Sequence, residues 1–268
     1  MHAKKPKLIG VVNITEDSFS DGGLFLEASK AIEQSWKLIH AGADIIELGP
    51  ASSHPDAKEV SAQEEIQRLK PVLDQLLTSG TAISVDSSVP ETQIYCAQRG
   101  VAFLNDIQGF PHNEILHVLA NATCKLVVMH SVQRRGKATR IPVEPQAVVE
   151  GIYQFFQERL QALRAVGITQ DRVILDPGMG YFLGSNAEPS LLVLREIPRL
   201  NEMFHLPLLI SVSRKSFLGT LTGRGIHERG AASLAAEIFA ASQGVDYIRT
   251  HDVAALNDAL TVLAALTG

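Results

Sequence analysis

Nine polar residues stand at or just beyond the ends of short apolar runs: Asn13, Asp86, Asn105, Asp106, His130, Asp176, Lys215, Arg249 and His251. They sort by chemistry. Asp86, Asn105, Asp106 and Asp176 supply three carboxylates and an amide, which suit a heterocycle carrying N–H groups and ring nitrogens, because a fixed hydrogen-bond pattern rejects a ligand lacking it. A metal site is the competing use, disfavoured because no His or second acid accompanies each carboxylate at ligand spacing. Ser213-Arg214-Lys215-Ser216 opens a helix and Arg249-Thr250-His251 follows the last run. Cations, hydroxyls and free helical N–H groups thus gather where a carboxylate or phosphate would be held. The segment from Asn13 to Gly23, NITEDSFSDGG, carries side-chain oxygens at most positions and ends in a flexible Gly pair. It suits closure around a metal-bound anion, with Asn13 fixed by the preceding run.

The elements that must position these groups are legible as well. Runs at 7–13, 44–48, 82–86, 102–106, 125–130, 172–176, 207–211 and 246–250 are rich in Val, Ile and Leu without strict alternation. Such runs predict strands buried on both faces of a parallel sheet. Helical patterns are expected at 28–41, 60–78, 90–100, 113–120, 145–166, 189–202, 231–244 and 254–266, with a further helix begun by Ser213-Arg214-Lys215-Ser216. Ser61-x-x-Glu64 reads as a capping box and Gly42 as a C-terminal cap. Eight strand-helix units predict an α/β fold, a (β/α)8 TIM barrel forming one domain over 1–268, whose chemistry sits at the C-terminal rim. Long loops at 14–26, 49–59 and 131–144 stand out, and the first two are expected to act as mobile lids. His130 reads as a rim histidine with a structural role, while His2, His112, His117, His205 and His227 read as surface residues. Trp36, placed on one helix face with Ala31, Ile32, Leu38 and Ile39, and the pair Phe155-Phe156 read as helix-packing residues.

Bulk properties narrow the class. With 268 residues, 46% of them hydrophobic, the chain can bury a full core. A net charge of −5 gives no basic footprint for nucleic acid. Cys96 and Cys124 lack metal spacing and read as buried thiols. The basic start lacks a leader-like apolar stretch and no 18-residue apolar segment follows, so a cytoplasmic location with no membrane partner is expected.

Six ordered motifs resemble dihydropteroate synthase: Asn13 through Gly23, Val85-Asp86-Ser87, Leu104-Asn105-Asp106-Ile107, Leu175-Asp176-Pro177-Gly178, Ser213-Arg214-Lys215-Ser216 and Ile248-Arg249-Thr250-His251. They span nearly the whole chain in register with the predicted strands. The resemblance implies condensation of 6-hydroxymethyl-7,8-dihydropterin diphosphate with 4-aminobenzoate to give 7,8-dihydropteroate and diphosphate, by a dissociative substitution in folate biosynthesis. It implies catalytic roles for Asp86, Asp176 and Lys215, a pterin pocket of Asp86, Asn105, Asp176 and Lys215, and 4-aminobenzoate contacts from Ser53, Pro55, Phe182 and Ser213. Asn13, Arg249 and His251 are implied diphosphate ligands, with Mg2+ held at Asn13 beside the diphosphate. A homodimer is implied too.

Two places depart from the family pattern. The second loop reads Ala51-Ser52-Ser53-His54-Pro55-Asp56 where Ser-Thr-Arg-Pro-Gly is common, which removes an arginine. After Asp176-Pro-Gly-Met-Gly180 stand Tyr181-Phe182-Leu183-Gly184 where Phe-Gly-Lys is common, about two residues longer. These variants resemble the sulfonamide-insensitive branch carried on mobile resistance elements. An extra ring near 4-aminobenzoate could exclude a bulky sulfonyl while sparing a planar carboxylate. The alternatives are a pterin-dependent methyltransferase barrel, which keeps the heterocycle pocket but needs no paired cationic motifs, a barrel lyase with Lys215 as Schiff base, and a binding module without catalysis.

Overall fold

The structure, a computed structural model, describes residues 5–14, 23–52, 56–134, 136, 138 and 140–267, with the side chains of 23–27 excepted. Strands β1 (Lys7–Asn13), β2 (Ile45–Gly49), β3 (Ala82–Asp86), β4 (Phe103–Asp106), β5 (Lys125–Met129), β6 (Val173–Asp176), β7 (Leu209–Ile210) and β8 (Tyr247–Thr250) fall on the eight expected runs. All neighbours are parallel, in the order β6-β5-β4-β3-β2-β1-β8-β7. A parallel bridge from Leu175 to Leu208, with the Leu175 N–H donating to Pro207 O at 2.9 Å, brings β6 against the approach to β7 and nearly closes the barrel.

Helices α1 (Gly23–His40), α2 (Ala62–Leu76), α3 (Pro90–Gln98), α4 (Asn113–Asn121), α5 (Pro145–Ala165), α6 (Glu188–Phe204), α7 (Ser216–Thr222), α8 (Gly230–Ser242) and α9 (Val253–Thr267) lie between and after the strands. The local signals act as chemistry requires. The Ser61 side chain accepts from the Glu64 N–H while Glu64 Oε2 accepts from the Ser61 N–H at 2.8 Å, and Gly42 takes φ +96° at the end of α1. None of the described helices is long and apolar enough to cross a membrane. Cys96 and Cys124 are buried free thiols.

Packing follows the two-residue period of the strands. Outward side chains such as Leu8, Ile46, Leu48, Val85, Leu104, Val128 and Leu175 join the helices in one large core. Inward ones, Ile9, Ile45, Phe103, Val127, Ile174, Leu209 and Tyr247, fill the lower barrel. Two residues further along those strands stand Val11, Glu47, Asn105, Met129, Asp176, Ser211 and Arg249. The barrel is therefore apolar below and polar at its mouth.

Trp36 departs from the packing expectation. It is 38% exposed, while Ser35, with its hydroxyl donating to Ala31 O at 2.7 Å, shares the buried face of α1 with Ala28, Ala31 and Leu38. A bulky ring does not fit where helix and barrel approach this closely: a Cβ added at Gly10 would lie 3.1 Å from Leu38. Phe155 and Phe156 are buried as expected, with ring centroids 5.8 Å apart.

Candidate active site

Strand parity selects which rim residues face inward. Asp86 pairs in register with Asn105, and Asp176 with Met129, so all these side chains point into the mouth. Asp106, next to the inward Asn105, points the other way. Its carboxylate accepts from Gln93 Nε2 at 3.0 Å and from the N–H groups of Gln108 and Phe110 at 2.8 and 3.0 Å. Asp106 thus leaves the expected cluster and serves as a buried staple for the loop after β4.

The inward groups are conspicuously unsatisfied. Asn105 is fully buried, yet neither its Oδ1 nor its Nδ2 makes a hydrogen bond. Asp176 spends Oδ1 on the Gly178 N–H at 2.8 Å and leaves Oδ2 without a partner. Buried polar atoms left unbonded are costly, so their convergence points to a ligand that completes them. Gly178 permits the turn: at φ +77° a Cβ there would stand 2.4 Å from His130 O. His130 itself is buried, with Nδ1 3.3 Å from Pro177 O and its ring edge-on to Phe155 at 5.3 Å. Burial drives its pKa down to about 3, so it is a neutral structural histidine.

Sequence reasoning missed Glu47, the inward residue of β2. It is 2% exposed, its Oε1 lies 2.8 Å from Arg249 Nε, and its Oε2 accepts from Arg249 Nη2 at 3.1 Å and Ser84 Oγ at 3.1 Å. Arg249, only 8% exposed, is therefore held by an internal carboxylate. The signal exists in the sequence: a lone acid at the third position of Ile45-Ile46-Glu47-Leu48, two residues beyond an inward isoleucine, has no place in an apolar strand unless it is paired.

Three carboxylates and two cations share this interior, and their mutual fields set their protonation. Burial and then Glu47 push the Asp86 pKa up to about 7, against the opposing pull of Arg249 and Lys215. Burial raises Asp176 as well. Burial and then Arg249 press Lys215 down to about 8. Such perturbed groups facing one cavity mark a site built for chemistry.

Lys215 reaches this cluster through strained backbone. Arg214 adopts φ +59°, its N–H donates to Ser233 Oγ at 2.9 Å, and its carbonyl accepts from Arg229 Nη1 at 3.0 Å. This turn exposes Arg214 and sends Lys215 inward, so the two expected cations of the motif do not share one position. The Lys215 ammonium sits 5.0 Å from the centroid of Phe182, which is buried with Ile107, Met129 and Ala138. Phe182 is thus part of the inner wall, and the adjoining Tyr181 carries Arg140 over its ring at 5.7 Å. Arg140, also unforeseen, reaches from the loop after β5 to Asp56 of the second loop at 2.5 Å. No sequence spacing links residues 84 positions apart.

Asn13, Ser213 and His251 stand at or just beyond the ends of β1, β7 and β8. Asn13 is exposed at the tip of β1, where its Oδ1 would lie 3.2 Å from a Cβ at Gly49. Ser213 Oγ accepts from the His251 N–H at 3.2 Å and lies 3.0 Å from His251 Nδ1. Burial, then Arg214, Lys215 and Arg249, hold the His251 pKa near 4. Ser53 and Pro55, and the segment 15–22, lie outside the described residues. A cavity of about 440 Å3 opens beside Asp86 and is lined by Ser52, Lys58, Ser87 and Gln108. Its wall is braced by Glu65 of α2, which accepts from Ser87 Oγ at 2.6 Å.

Comparison with known proteins bears on this site. Residues 9–251 match the family model described as pterin binding enzyme. The chain is 54% identical to dihydropteroate synthase type-3 of Escherichia coli over 97% of its own length and 99% of that protein. Among solved structures, dihydropteroate synthase of Xanthomonas albilineans with 4-aminobenzoic acid superposes with a TM-score of 0.89 at 35% identity, covering 99% of this chain and 94% of that one. The same enzyme in complex with 7,8-dihydropteroate gives 0.85 at 32% identity, over 100% and 96% of the two chains.

Proposed function

The chain belongs to the dihydropteroate synthase family and is a transferase of the pterinylmethyl group, and on that premise we propose how its own residues carry the reaction. The substrates are 6-hydroxymethyl-7,8-dihydropterin diphosphate and 4-aminobenzoate, and the substitution is dissociative. The observation that carries this reading is the set of buried, unbonded atoms on Asn105 and Asp176 beside Asp86 and Lys215. A pterin ring, flat and edged with N–H groups, ring nitrogens and a carbonyl, is the ligand class that would complete them.

Asp86, Asn105, Asp176 and Lys215 hold the pterin. The bond from the methylene carbon to the diphosphate oxygen breaks, and its electron pair leaves with the diphosphate. The pterin-methyl cation left behind faces the Asp86 and Asp176 carboxylates, which stabilise it through space without forming a bond. The 4-aminobenzoate nitrogen then adds its lone pair to that carbon and loses a proton. Ser213, Phe182 and the loop at Ser53 and Pro55 position this second substrate. Asn13, Arg249 and His251 hold the departing diphosphate, with Arg249 oriented by Glu47.

An Mg2+ fits beside Asn13 if most of its ligands come from elsewhere. Among the described residues no group of three or more His, Cys, Asp or Glu lies placed to hold a metal by itself. Diphosphate oxygens and water would complete the shell around the single amide oxygen, the usual preference of this hard cation. Bound so, it would neutralise charge on the leaving group.

The site is read as sulfonamide-insensitive because Phe182 narrows the wall next to Lys215, where a tetrahedral sulfonyl needs more room than a carboxylate. The chain is read as a cytoplasmic homodimer. Diphosphate release with both substrates, with and without sulfamethoxazole, is the direct test. Release that needs both substrates and persists with the drug supports the assignment; no release, or release with the pterin alone at the full rate, refutes it.

A further inference from the structure

Arg229 stands immediately before α8 and takes no part in the reaction described above, yet its guanidinium is committed to the turn that precedes α7. Its Nη1 donates to Arg214 O at 3.0 Å and to Lys215 O at 3.3 Å, and its Nε donates to Arg224 O at 3.1 Å. Ser233, in the first turns of α8, accepts the Arg214 N–H at 2.9 Å and donates its hydroxyl to Arg229 O at 2.7 Å. Both the N–H and the carbonyl of Arg214 are thus held from the start of α8. Arg214 needs such holding, because φ +59° crowds its Cβ against the following carbonyl and suits glycine far better than any residue with a side chain.

The same turn aims Lys215. The Lys215 N–H donates to Val212 O at 3.1 Å, and its carbonyl accepts the Leu218 N–H at 3.2 Å as well as Arg229. Its stem passes Gly180, where an added Cβ would stand 3.3 Å from Lys215 Cβ, and its ammonium comes to 5.0 Å from the Phe182 ring centroid. A released turn would let Arg214 return to an ordinary φ and would swing the next side chain off that path. The seat of the guanidinium is specific too: Gly219 of α7 is buried, and a Cβ there would overlap Arg229 Nη2. We propose that Arg229 is a positioning residue of the transferase site, which holds the backbone turn at Arg214 and Lys215 so that the Lys215 ammonium stays in the barrel mouth.

The hold on Lys215 is a property of the protein alone, whereas its effect on the reaction rests on the reading that Lys215 holds the pterin. In the mouth, burial and then Arg249 press the ammonium down to about 8, against the attraction of Asp176, Asp86 and Glu47. His251, held near 4, is neutral over this range. An ammonium that swings out to water escapes the burial that depresses it, so its titration must move up. The test is an NMR titration of protein labelled with 13C at lysine Cε, with the Lys215 signal identified by its absence in Lys215→Met. The native midpoint should lie at about 8. Arg229→Met should raise it above about 9, toward the ordinary lysine value. It should also lower kcat/KM by up to about 100-fold, the cost of a small misplacement at the reacting centre. Gly219→Ala, which keeps Arg229 but fills the seat of its guanidinium, should act in the same way and serves should Arg229→Met not fold. A merely structural Arg229 would lower the melting temperature and leave the midpoint in place; an unmoved midpoint, whatever the rate, overturns the proposal. A raised midpoint with native kcat/KM upholds the positioning and refutes the placement of Lys215 on the pterin.

Discussion

Glu47→Gln tests the electrostatic design of the barrel mouth, because it removes one charge and little else. The pair it breaks is nearly dry, with Glu47 and Arg249 side chains 2% and 10% exposed and contacts of 2.8 and 3.1 Å. Removing one partner of a buried pair typically costs about 3–5 kcal/mol, since the other charge stays behind uncompensated. Asp86 and Asp176 also attract Arg249, so a loss near the low end, roughly 3 kcal/mol, is expected. At about 2–4 °C per kcal/mol for a chain of this size class, the melting temperature should fall by roughly 6–12 °C. Inorganic diphosphate should recover much of that loss and bind more tightly than to the native protein, because Arg249 has been freed for an anion. Glu47 is the second cause, after burial, that raises Asp86. The acid limb of kcat/KM should therefore move to lower pH. Thermal unfolding with and without diphosphate, together with a pH–rate profile, reads all three effects. A melting temperature within about 2 °C of native and an unmoved acid limb would refute the reasoning.

The pH profile of the native protein supplies a second prediction. Asp86 must be ionised and is raised to about 7, so kcat/KM should fall as pH drops through that value; Lys215 must be protonated and is lowered to about 8, so it should fall again as pH rises through that one. The narrow bell belongs to the coupled set rather than to either residue. Asp86→Asn should abolish the acid limb and lower kcat/KM by about 100-fold or more, and a loss within a factor of about three would show that its charge does not stabilise the transition state. Deleting Phe182 with one neighbour should restore inhibition by sulfamethoxazole and raise the KM for 4-aminobenzoate; unchanged inhibition with retained turnover would remove that role. Arg140→Ala breaks an exposed pair with Asp56, so it should leave the melting temperature close to that of the native protein. A larger drop would mean that the link braces the fold.

The sequence alone determined the barrel, because strands covered on both faces announce themselves as Val-, Ile- and Leu-rich runs, and most of the runs here ended at or beside a rim residue. It also located Asp86, Asn105, Asp176 and Lys215, since parallel barrels deliver strand ends to one mouth. What it did not determine was direction. Asn105 and Asp106 are equivalent on paper, yet strand pleating sends one inward with its amide unbonded and the other outward to Gln93 and two backbone N–H groups. Phe182 reads as a loop residue and turns out to pack beneath Lys215. The charge economy of the mouth lay beyond sequence reasoning for the same reason. Glu47 and Arg249 are 202 residues apart, and Arg140 meets Asp56 over a separation of 84. Electrostatic energy depends on separation in space and on exclusion of water, and neither exists until the cylinder has nearly closed.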